Sequence, residues 1–584
     1  MARRRRRGVT RASARPEASG RRTTRRRPRT AGRAAARLLH RNPVWAAGAL
    51  VLLHLVLAAL AFVPTPHTGG DNAAYIALAR SLLEHRAFLS LYDPATPPHT
   101  QYPPAFPGML ALATVLGLGS WVKLKLVVLA CSAAAVAMTF LWIRRRGRPV
   151  LGAGVALLLA ISPSVLEQSH WVLSDIPFWF FTVLALWGFE RLPPGLRIRF
   201  VVATLAGVLA YFTRSAGLPL VLAIIVWLGL RRRWQQLAVF AAVLVPLALL
   251  WYVRARTQGG VDYVSQFWAV DPYTPQLGRI DAGDFFRRIG SNAGNYARIH
   301  LPILLAGTAS AAVFLVGLAT LLLAAGGWAR RIRRPCLPEL LLPLYLGLLL
   351  VWPAVWSGER FLLPAMPLIL FYAGDALVAG VRLMRPRAGF VAGAAAVALV
   401  GLNAVPAIVS ELRTGTLCTT RYRAGDPYPC LGPEWRDFFD MAGLAERALP
   451  DDAVVLSRKP RLFWGLSGVR GRNYPMSQEA VDFFAAAADA GARYVVFDRL
   501  GRQAQVFLAP VILQRPAAFC LISSTPATAT TMLGILPGAD TMQDRTDLSA
   551  SLDFAVCPDE YWKSPAARDA EAPPVTALPG QGDR

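Results

Sequence analysis

Two carboxylates stand beside apolar segments of the chain, where a proton-transfer group could be useful. Asp71, with Tyr75 close behind it, follows the first apolar segment, and Asp175, preceded by Ser174, begins a later one. A carboxylate can draw a proton from a hydroxyl as a general base. Because Asp at the start of a helix is also a common N-cap, both residues allow a purely structural interpretation.

Two arginines lie between pairs of apolar segments, and each could bind an anion. They occur as Thr213-Arg214 and as Gly358-Glu359-Arg360. An arginine at membrane depth is costly unless it faces a partner or a cavity, and its planar fork suits phosphate oxygens. Tyr102 precedes paired prolines that stiffen a turn and keep it extended. Together these residues predict a pocket that can bind phosphate beside an acid/base group.

The elements that would position these residues are mostly apolar helices. Of the 584 residues, 54% are hydrophobic and 17% are charged, whereas soluble domains carry roughly 25% charged residues. Several apolar runs approach the ~20 residues that cross a hydrocarbon core. With the amino terminus inside, the dense arginine clusters all fall on the cytoplasmic side. The sequence predicts about eleven spans: 44–63, 121–143, 149–166, 175–190, 199–213, 216–230, 235–253, 301–325, 338–356, 361–381 and 389–410.

This topology places the predicted pocket at the extracytoplasmic ends of the spans. Loops 64–120 and 254–300 then face outward. Residues 71–86 are expected to form an amphipathic helix lying on the membrane. Segment 105–120 is apolar but short, so we expect it to be interfacial or re-entrant.

The amino-terminal residues 1–43 explain much of the formal net charge of +28. Residues 1–41 contain sixteen arginines and one acidic residue, Glu17. A block of like charge with little apolar content predicts a disordered tail. Because it directly precedes a span, we expect it to set topology or contact anionic membrane lipid rather than bind nucleic acid.

Residues 411–563 have the mixed composition of a small folded domain. Apolar runs at 453–457 and 494–498 predict short buried strands, and the spacing of 477–490 predicts a helix between them. This order favours a small extracytoplasmic α/β domain. Residues 564–584 are expected to be a flexible tail.

Four of the six cysteines fall in that domain: Cys418, Cys430, Cys520 and Cys557. An extracytoplasmic domain is compatible with two disulfides, and Cys418 with Cys430 is the expected first pair because both lie in one loop. A zinc site is the alternative, although neither a CxxC pair nor a nearby histidine spacing occurs.

Five signals, in their order along residues 44–410, resemble the GT-C superfamily of membrane glycosyltransferases. Within it they are similar to the branch of protein O-mannosyltransferases, aminoarabinose transferase and bacterial Rgt-type enzymes. The matching residues are Asp71 with Tyr75, Tyr102-Pro103-Pro104, Ser174-Asp175, Thr213-Arg214 with Gly217, and Arg360-Phe361-Leu362 with Pro364.

The resemblance implies an inverting, multi-pass glycosyltransferase of a bacterial plasma membrane. Its donor would be a sugar on polyprenyl phosphate, and its acceptor a glycan, lipid or protein at the outer face. Asp71 would be the general base, Asp175 would assist at the acceptor, and the two arginines would hold the lipid phosphate. The residues implied in substrate binding are Tyr75, Tyr102, Arg214, Glu359 and Arg360.

One position departs from the family pattern. Many relatives have a second acidic residue directly after the first, where this chain has Asn72. This weakens a paired carboxylate or a bridging metal, so we expect no required divalent metal and no cofactor.

A transporter or lipid flippase is the main alternative function. Transporters usually bury ionisable residues at mid-membrane and contain internal repeats. In this sequence we see no repeat, and the ionisable residues are expected to crowd the outer ends of the spans. A non-catalytic membrane scaffold is a further alternative, although it leaves the five signals without a role.

Overall fold

The computed structural model describes residues 31–259, 263–272, 277–385, 387–544 and 554–571. Up to residue 423, α-helices dominate. In chain order they are α1 (Ala31–Arg41), α2 (Pro43–Leu60), α3 (Gly70–Glu84), α4 (Ala105–Ala113), α5 (Trp121–Arg145), α6 (Pro149–Ile161), α7 (Pro163–Gln168), α8 (Asp175–Phe189), α9 (Ile198–Thr213), α10 (Leu218–Leu230), α11 (Trp234–Thr257), α12 (Tyr263–Trp268), α13 (Ala282–Asn295), α14 (Leu301–Ala306), α15 (Ala311–Arg331), α16 (Leu337–Val351), α17 (Glu359–Leu362), α18 (Met366–Met384) and α19 (Gly389–Arg423).

The described residues contain six helices that are long and apolar enough to cross a membrane: α2, α5, α11, α15, the stretch comprising α17 and α18, and α19. Five further apolar helices, α6, α8, α9, α10 and α16, have 13 to 16 residues. Each of the eleven predicted spans overlaps one of these helices. Segment 105–120, which was not counted as a span, forms α4 and a π-helical turn at 114–118.

Two predicted spans are broken, and the two breaks meet. Span 149–166 is interrupted at Ser162, which separates α6 from α7. Span 301–325 is interrupted after α14 at Gly307, whose φ of +71° suits a glycine C-cap. The Ser162 hydroxyl donates to the carbonyl of Leu304 at 2.8 Å. The carbonyls left free at the end of α14 are therefore partly satisfied by serines at the other break.

Three boundaries differ from the sequence-based expectation. Residues 31–41 form α1, so their predicted disorder is wrong; alanines and leucines between the arginines supply helix propensity. The rest of the predicted tail, 1–30, lies outside the described residues. Helix α19 continues to Arg423, since polar residues after 410 end the apolar pattern without ending the helix. Residues 565–571 of the predicted flexible tail form a helix, and 572–584 lie outside the described residues.

The carboxy-terminal domain contains a mixed sheet between two layers of helices. Its strands are β1 (Val454–Leu456), β2 (Arg470–Arg472), β3 (Tyr494–Phe497), β4 (Phe519–Ser524) and β5 (Thr531–Ile535), in the order β2-β1-β3-β5-β4. Strand β1 is parallel to β2 and β3, and β5 is antiparallel to β3 and β4. The helices are α20 (Pro433–Ala448), α21 (Pro460–Ser467), α22 (Ala480–Ala490), α23 (Ala509–Gln514) and α24 (Pro565–Glu571).

Both faces of the sheet are buried, as expected for an α/β domain. Side chains of α20 and α21 pack on one face, and side chains of α22 and α23 pack on the other. Disulfides join Cys418 to Cys430 and Cys520 to Cys557. The first connects the end of α19 to the loop that enters the domain.

The domain sits directly on the loop 64–120. Trp464 of α21 packs with Ala77 of α3 and with Leu91, and the Gly471 amide of β2 donates to the carbonyl of Tyr92 at 2.8 Å. Helix α3 is buried along most of its length. Buried residues lie on all sides of α3 because α4 and α21 both pack against it, so the expected amphipathic pattern is wrong. Its position on the membrane stays a prediction.

Candidate active site

Asp71 lies in the first turn of α3 but does not cap the helix. The N-cap residue is Gly69, so the start of α3 has no side-chain capping hydrogen bond. Asn72 instead ties the turn together: its amide nitrogen donates to the Gly69 carbonyl at 3.1 Å and lies 3.0 Å from His67 Nδ1, which also accepts from the Gly69 amide. The capping interpretation of Asp71 is wrong, and its carboxylate faces the pocket.

Three side chains surround the Asp71 carboxylate. The Tyr102 hydroxyl donates to Oδ1 at 2.8 Å, Arg360 Nη2 lies 3.5 Å from Oδ2, and Arg461 Nη1 lies 3.7 Å from Oδ1. Arg461 also donates to the Tyr102 hydroxyl at 2.9 Å. The Asp71 side chain is 37% exposed although protein surrounds it on most sides. The Asp71 carboxylate is therefore partly accessible.

These neighbours set the charge of the group. Burial raises the pKa of Asp71, but Arg360, the hydrogen bond from Tyr102 and the more distant Arg461 together outweigh burial and hold that pKa below its ordinary value of 3.8. Burial and the Asp71 charge raise the pKa of Tyr102 well above 10. At neutral pH the carboxylate is therefore ionised and the phenol is a proton donor.

A second ion pair, between Arg214 and Asp175, lies beside Asp71 and its neighbours. Arg214 Nη1 is 2.7 Å from Asp175 Oδ1 and donates to Ser174 Oγ at 3.3 Å. Ser174 is the N-cap residue of α8, but its side chain makes no capping bond, and Asp175 follows in the first turn. The Asp175 side chain is 4% exposed, so the pair is buried. Asp175 pairs with Arg214 rather than facing Asp71.

Aromatic rings lie between the side chains around Asp71 and the Arg214–Asp175 ion pair. The Tyr75 hydroxyl lies 2.8 Å from Ser174 Oγ, and its ring is 4.8 Å from that of Tyr102. The Phe361 ring has the guanidinium of Arg214 5.1 Å from its centroid and that of Arg360 4.6 Å away. Two arginines that are distant in sequence thus flank one ring.

Glu359, also predicted as a site residue, does not contact Asp71. Its Oε2 lies 3.6 Å from His300 Nδ1. The structure therefore brings Tyr102 and Arg360 close to Asp71, whereas Glu359 lies next to His300.

Arg461, which the sequence analysis missed, comes from the carboxy-terminal domain. It stacks over Tyr92 and Tyr102, with centroid distances of 5.3 and 5.8 Å. A weak signal for it exists: Arg458 and Lys459 with Arg461 directly follow the buried strand β1. The carboxyl ends of parallel strands often border ligand sites.

The chemistry of the pocket favours an anion over a cation. Within the described ranges, no cluster of three or more His, Cys, Asp or Glu side chains is arranged to hold a metal ion. Two guanidinium groups, from Arg360 and Arg461, lie near the partly exposed Asp71 carboxylate, and a third, from Arg214, pairs with Asp175 beside it. The residues present could bind phosphate oxygens while leaving Asp71 next to a reacting hydroxyl.

A separate set of charges lies at the far end of the bundle, and we call it the far network. Arg146 Nη2 is 2.6 Å from Glu339 Oε1, and its Nη1 is 3.3 Å from Glu190 Oε2. The expectation that ionisable residues crowd the outer ends of the spans does not cover these side chains, which are buried in pairs at the opposite end. The network consists of Arg146, Arg148, Glu190, Arg331, Glu339, Tyr372 and Asp375.

Solved structures of membrane glycosyltransferases share this architecture. The oligosaccharyltransferase of Archaeoglobus fulgidus, in complex with Zn and sulfate, superposes with a TM-score of 0.52 and 15% identity, over 82% of this chain and 72% of its own. ArnT from Cupriavidus metallidurans in the apo state gives 0.51 and 14%, over 85% of this chain and 98% of its own. No protein-family model and no curated protein matches the sequence. The chain therefore has the fold of these two solved structures, as the resemblance in sequence predicts.

Proposed function

We propose that this membrane protein transfers a sugar from a polyprenyl-phosphate donor to an acceptor hydroxyl at the extracytoplasmic face of a bacterial plasma membrane. The observation that carries the proposal is the partly exposed, ionised Asp71 carboxylate near the guanidinium groups of Arg360 and Arg461, with the Arg214–Asp175 ion pair beside it. The amino terminus would be cytoplasmic and the domain outside. The structural neighbours, an oligosaccharyltransferase and ArnT, support a glycosyltransferase class.

The reaction would be a single displacement with inversion. The acceptor hydroxyl gives its proton to Asp71, and its oxygen forms a bond to the anomeric carbon of the sugar. The bond from that carbon to the phosphate oxygen breaks, and its electron pair leaves with the lipid phosphate. Arg214 and Arg360 stabilise the charge that develops on the phosphate. The proton ends on Asp71, so atoms and charge balance.

Arg360 is the arginine best placed to move from Asp71 to the donor. Charge-assisted hydrogen bonds are about 2.7–2.9 Å long, whereas Arg360 lies 3.5 Å from Asp71. Arg214 is already held by Asp175 at 2.7 Å. When Arg360 turns toward a phosphate, one cause that lowers the pKa of Asp71 weakens, and the carboxylate becomes a stronger base. Asp175 would act by orienting Arg214.

We also propose that no divalent metal is required. Asn72 occupies the position of a second acid, and its side chain is used in the turn before α3. Arg360 and Arg461 already neutralise Asp71. Transfer measured after exhaustive chelation is expected to equal transfer in untreated membranes. Loss of activity that a divalent ion restores would contradict this part of the proposal.

Membrane vesicles supplied with labelled polyprenyl-phosphate sugars test the function directly. Wild type is compared with Asp71→Asn, Arg360→Ala and a control, Asp452→Asn, which makes the same chemical change at an exposed residue of the domain. Transfer by wild type and the control, with loss in the Asp71 variant, supports the proposal. No transfer by wild type, or equal transfer by the Asp71 variant, would overturn it. Label that crosses the membrane without covalent transfer would indicate a transporter.

A further inference from the structure

A cavity of about 1220 Å³ lies at the end of the bundle opposite the candidate active site. Helix α5 relates the two places: Trp121, at its start, packs against the carboxy-terminal domain, and its 25 residues end at Arg145. At 1.5 Å per residue the helix is roughly 37 Å long. Helices α1, α6, α18 and α19 contribute the walls of the cavity.

The rim of the cavity is positively charged. Arg148, Arg382 and Arg387 line it, together with one carboxylate, Asp375. Both Asp375 oxygens are already occupied, one by Arg148 at 3.0 Å and the other by Arg331 at 2.9 Å. In the described part of the chain, no carboxylate lies within ion-pair distance of Arg382 or Arg387. Their two charges are therefore available to an anion.

Away from the arginines, the wall of the cavity is apolar. It includes Leu157 on α6 and Val397 on α19, and the cavity follows about eight residues of each helix, or roughly 12 Å. Gly389 lets the Arg382 side chain cross the start of α19, because a Cβ there would lie 2.8 Å from Arg382 Cγ. Next to the rim, Leu383 is 88% exposed, as expected for a surface facing hydrocarbon.

We propose that this cavity binds an anionic phospholipid from the adjacent leaflet. Its phosphate would lie at Arg382 and Arg387, and an acyl chain would run between α6 and α19. The volume exceeds the ~300–1,000 Å³ typical of sites for small ligands, and a soluble anion would leave the apolar wall bare. The arginine-rich residues 1–30 carry the same sign of charge as the rim, so they are excluded as the occupant. The inference does not depend on the proposed function.

Lipid retention by the purified full-length protein tests this site. Native mass spectrometry is carried out after incubation with phosphatidylglycerol, with phosphatidylcholine of the same acyl chains, or with glycerol 3-phosphate, which has a phosphate and no chain. Wild type is expected to retain one phosphatidylglycerol and neither of the others. Arg382→Ala/Arg387→Ala should weaken retention by roughly fivefold for each arginine. The control Arg197→Ala/Arg334→Ala removes two exposed arginines outside the cavity and should retain lipid as wild type does.

A second variant separates binding in the cavity from general attraction to the surface. Ala394 lies on the cavity wall and is exposed, so Ala394→Trp should fill the space and reduce retention without changing the charge. Equal retention of the two phospholipids by wild type would overturn the proposal. It would also be overturned if both the arginine variant and the tryptophan variant retained phosphatidylglycerol as wild type does, or if glycerol 3-phosphate bound equally well.

Discussion

The Asp71 site and the far network contain the same kinds of side chains, arranged to opposite effect. In the far network, Glu339 is 1% exposed, contacts Arg146 at 2.6 Å and accepts a hydrogen bond from Tyr372 at 2.8 Å. In the Asp71 site, the carboxylate is 37% exposed and both of its guanidinium neighbours lie at 3.5 Å or beyond. Glu339 is buried and bound by its protein partners, whereas Asp71 is partly exposed and can still contact a ligand.

This difference separates a structural role from a role in binding. A buried ion pair is costly to break because the remaining charge has no solvent. A carboxylate whose cations are near but not in contact can exchange them for a ligand at little cost. Variants of the two places should therefore fail in different assays.

The largest effect is expected from Asp71→Asn. Removal of a general base should lower the initial rate of sugar transfer by about 10²–10⁴-fold. Because Asp71 is partly exposed and is not a helix cap, thermal unfolding in detergent should change little. Measurable loss of stability without loss of transfer would place Asp71 in the same class as Glu339 and remove the contrast.

Glu339→Ala should show the reverse pattern. It leaves Arg146 with only Glu190 and should lower the free energy of unfolding by about 3–5 kcal/mol. Reversible unfolding in mixed micelles measures this change. The control Glu446→Ala removes an exposed carboxylate of the domain and should be neutral. Transfer per folded molecule should be retained by Glu339→Ala; its selective loss would show that the far network takes part in catalysis.

Arg461→Ala should have an intermediate effect on activity. It removes a charged hydrogen-bond donor to Tyr102 and a cation close to Asp71, a change worth about 1.5 kcal/mol, or tenfold in rate. Arg502→Ala, an exposed arginine of the same domain, is the matched control. Equal rates for the two variants would show that the domain contributes no functional group to the pocket.

The smallest effect is a shift of the pH profile in Tyr102→Phe. Asp71 must be ionised to accept a proton, and its pKa lies below 3.8, so its protonation limits activity only in strong acid. Losing the hydrogen bond from Tyr102 removes a cause that favours the ionised form. The pKa of Asp71 should rise, and the acid limb of the kcat/KM profile should move to higher pH. A shift to lower pH would contradict the proposed contact.

Local sequence signals were sufficient for the side chains that lie next to spans. Asp71, Tyr102 and Arg360 each belong to a short motif at a span end, and the structure brings all three together. The pairing of Asp175 with Arg214 was not anticipated, because it depends on how α8 and α9 pack. Arg461 was missed for a stronger reason: only the folded domain brings β1 to α3.

The far network and the helix breaks were missed because the relevant residues had another interpretation. Arg146 was counted as one arginine of a topology cluster. Glu190 and Glu339 are isolated acids next to apolar segments, and the physical requirement that a buried acid be paired could have revealed them. Gly307 likewise lies within an apolar run, and nothing in the neighbouring residues predicts that it adopts a left-handed conformation and ends α14.

The contact between Arg461 and Tyr102 also orders events during synthesis. The two residues are 359 positions apart, so at about 5–20 residues per second the ribosome needs roughly 20–70 s to pass from one to the other. During that interval the nascent chain already carries Asp71 but has no residue of α21 to cover it. The pocket is completed only when the domain folds, so a chain that stops before Pro460 contains the proposed base without the finished site.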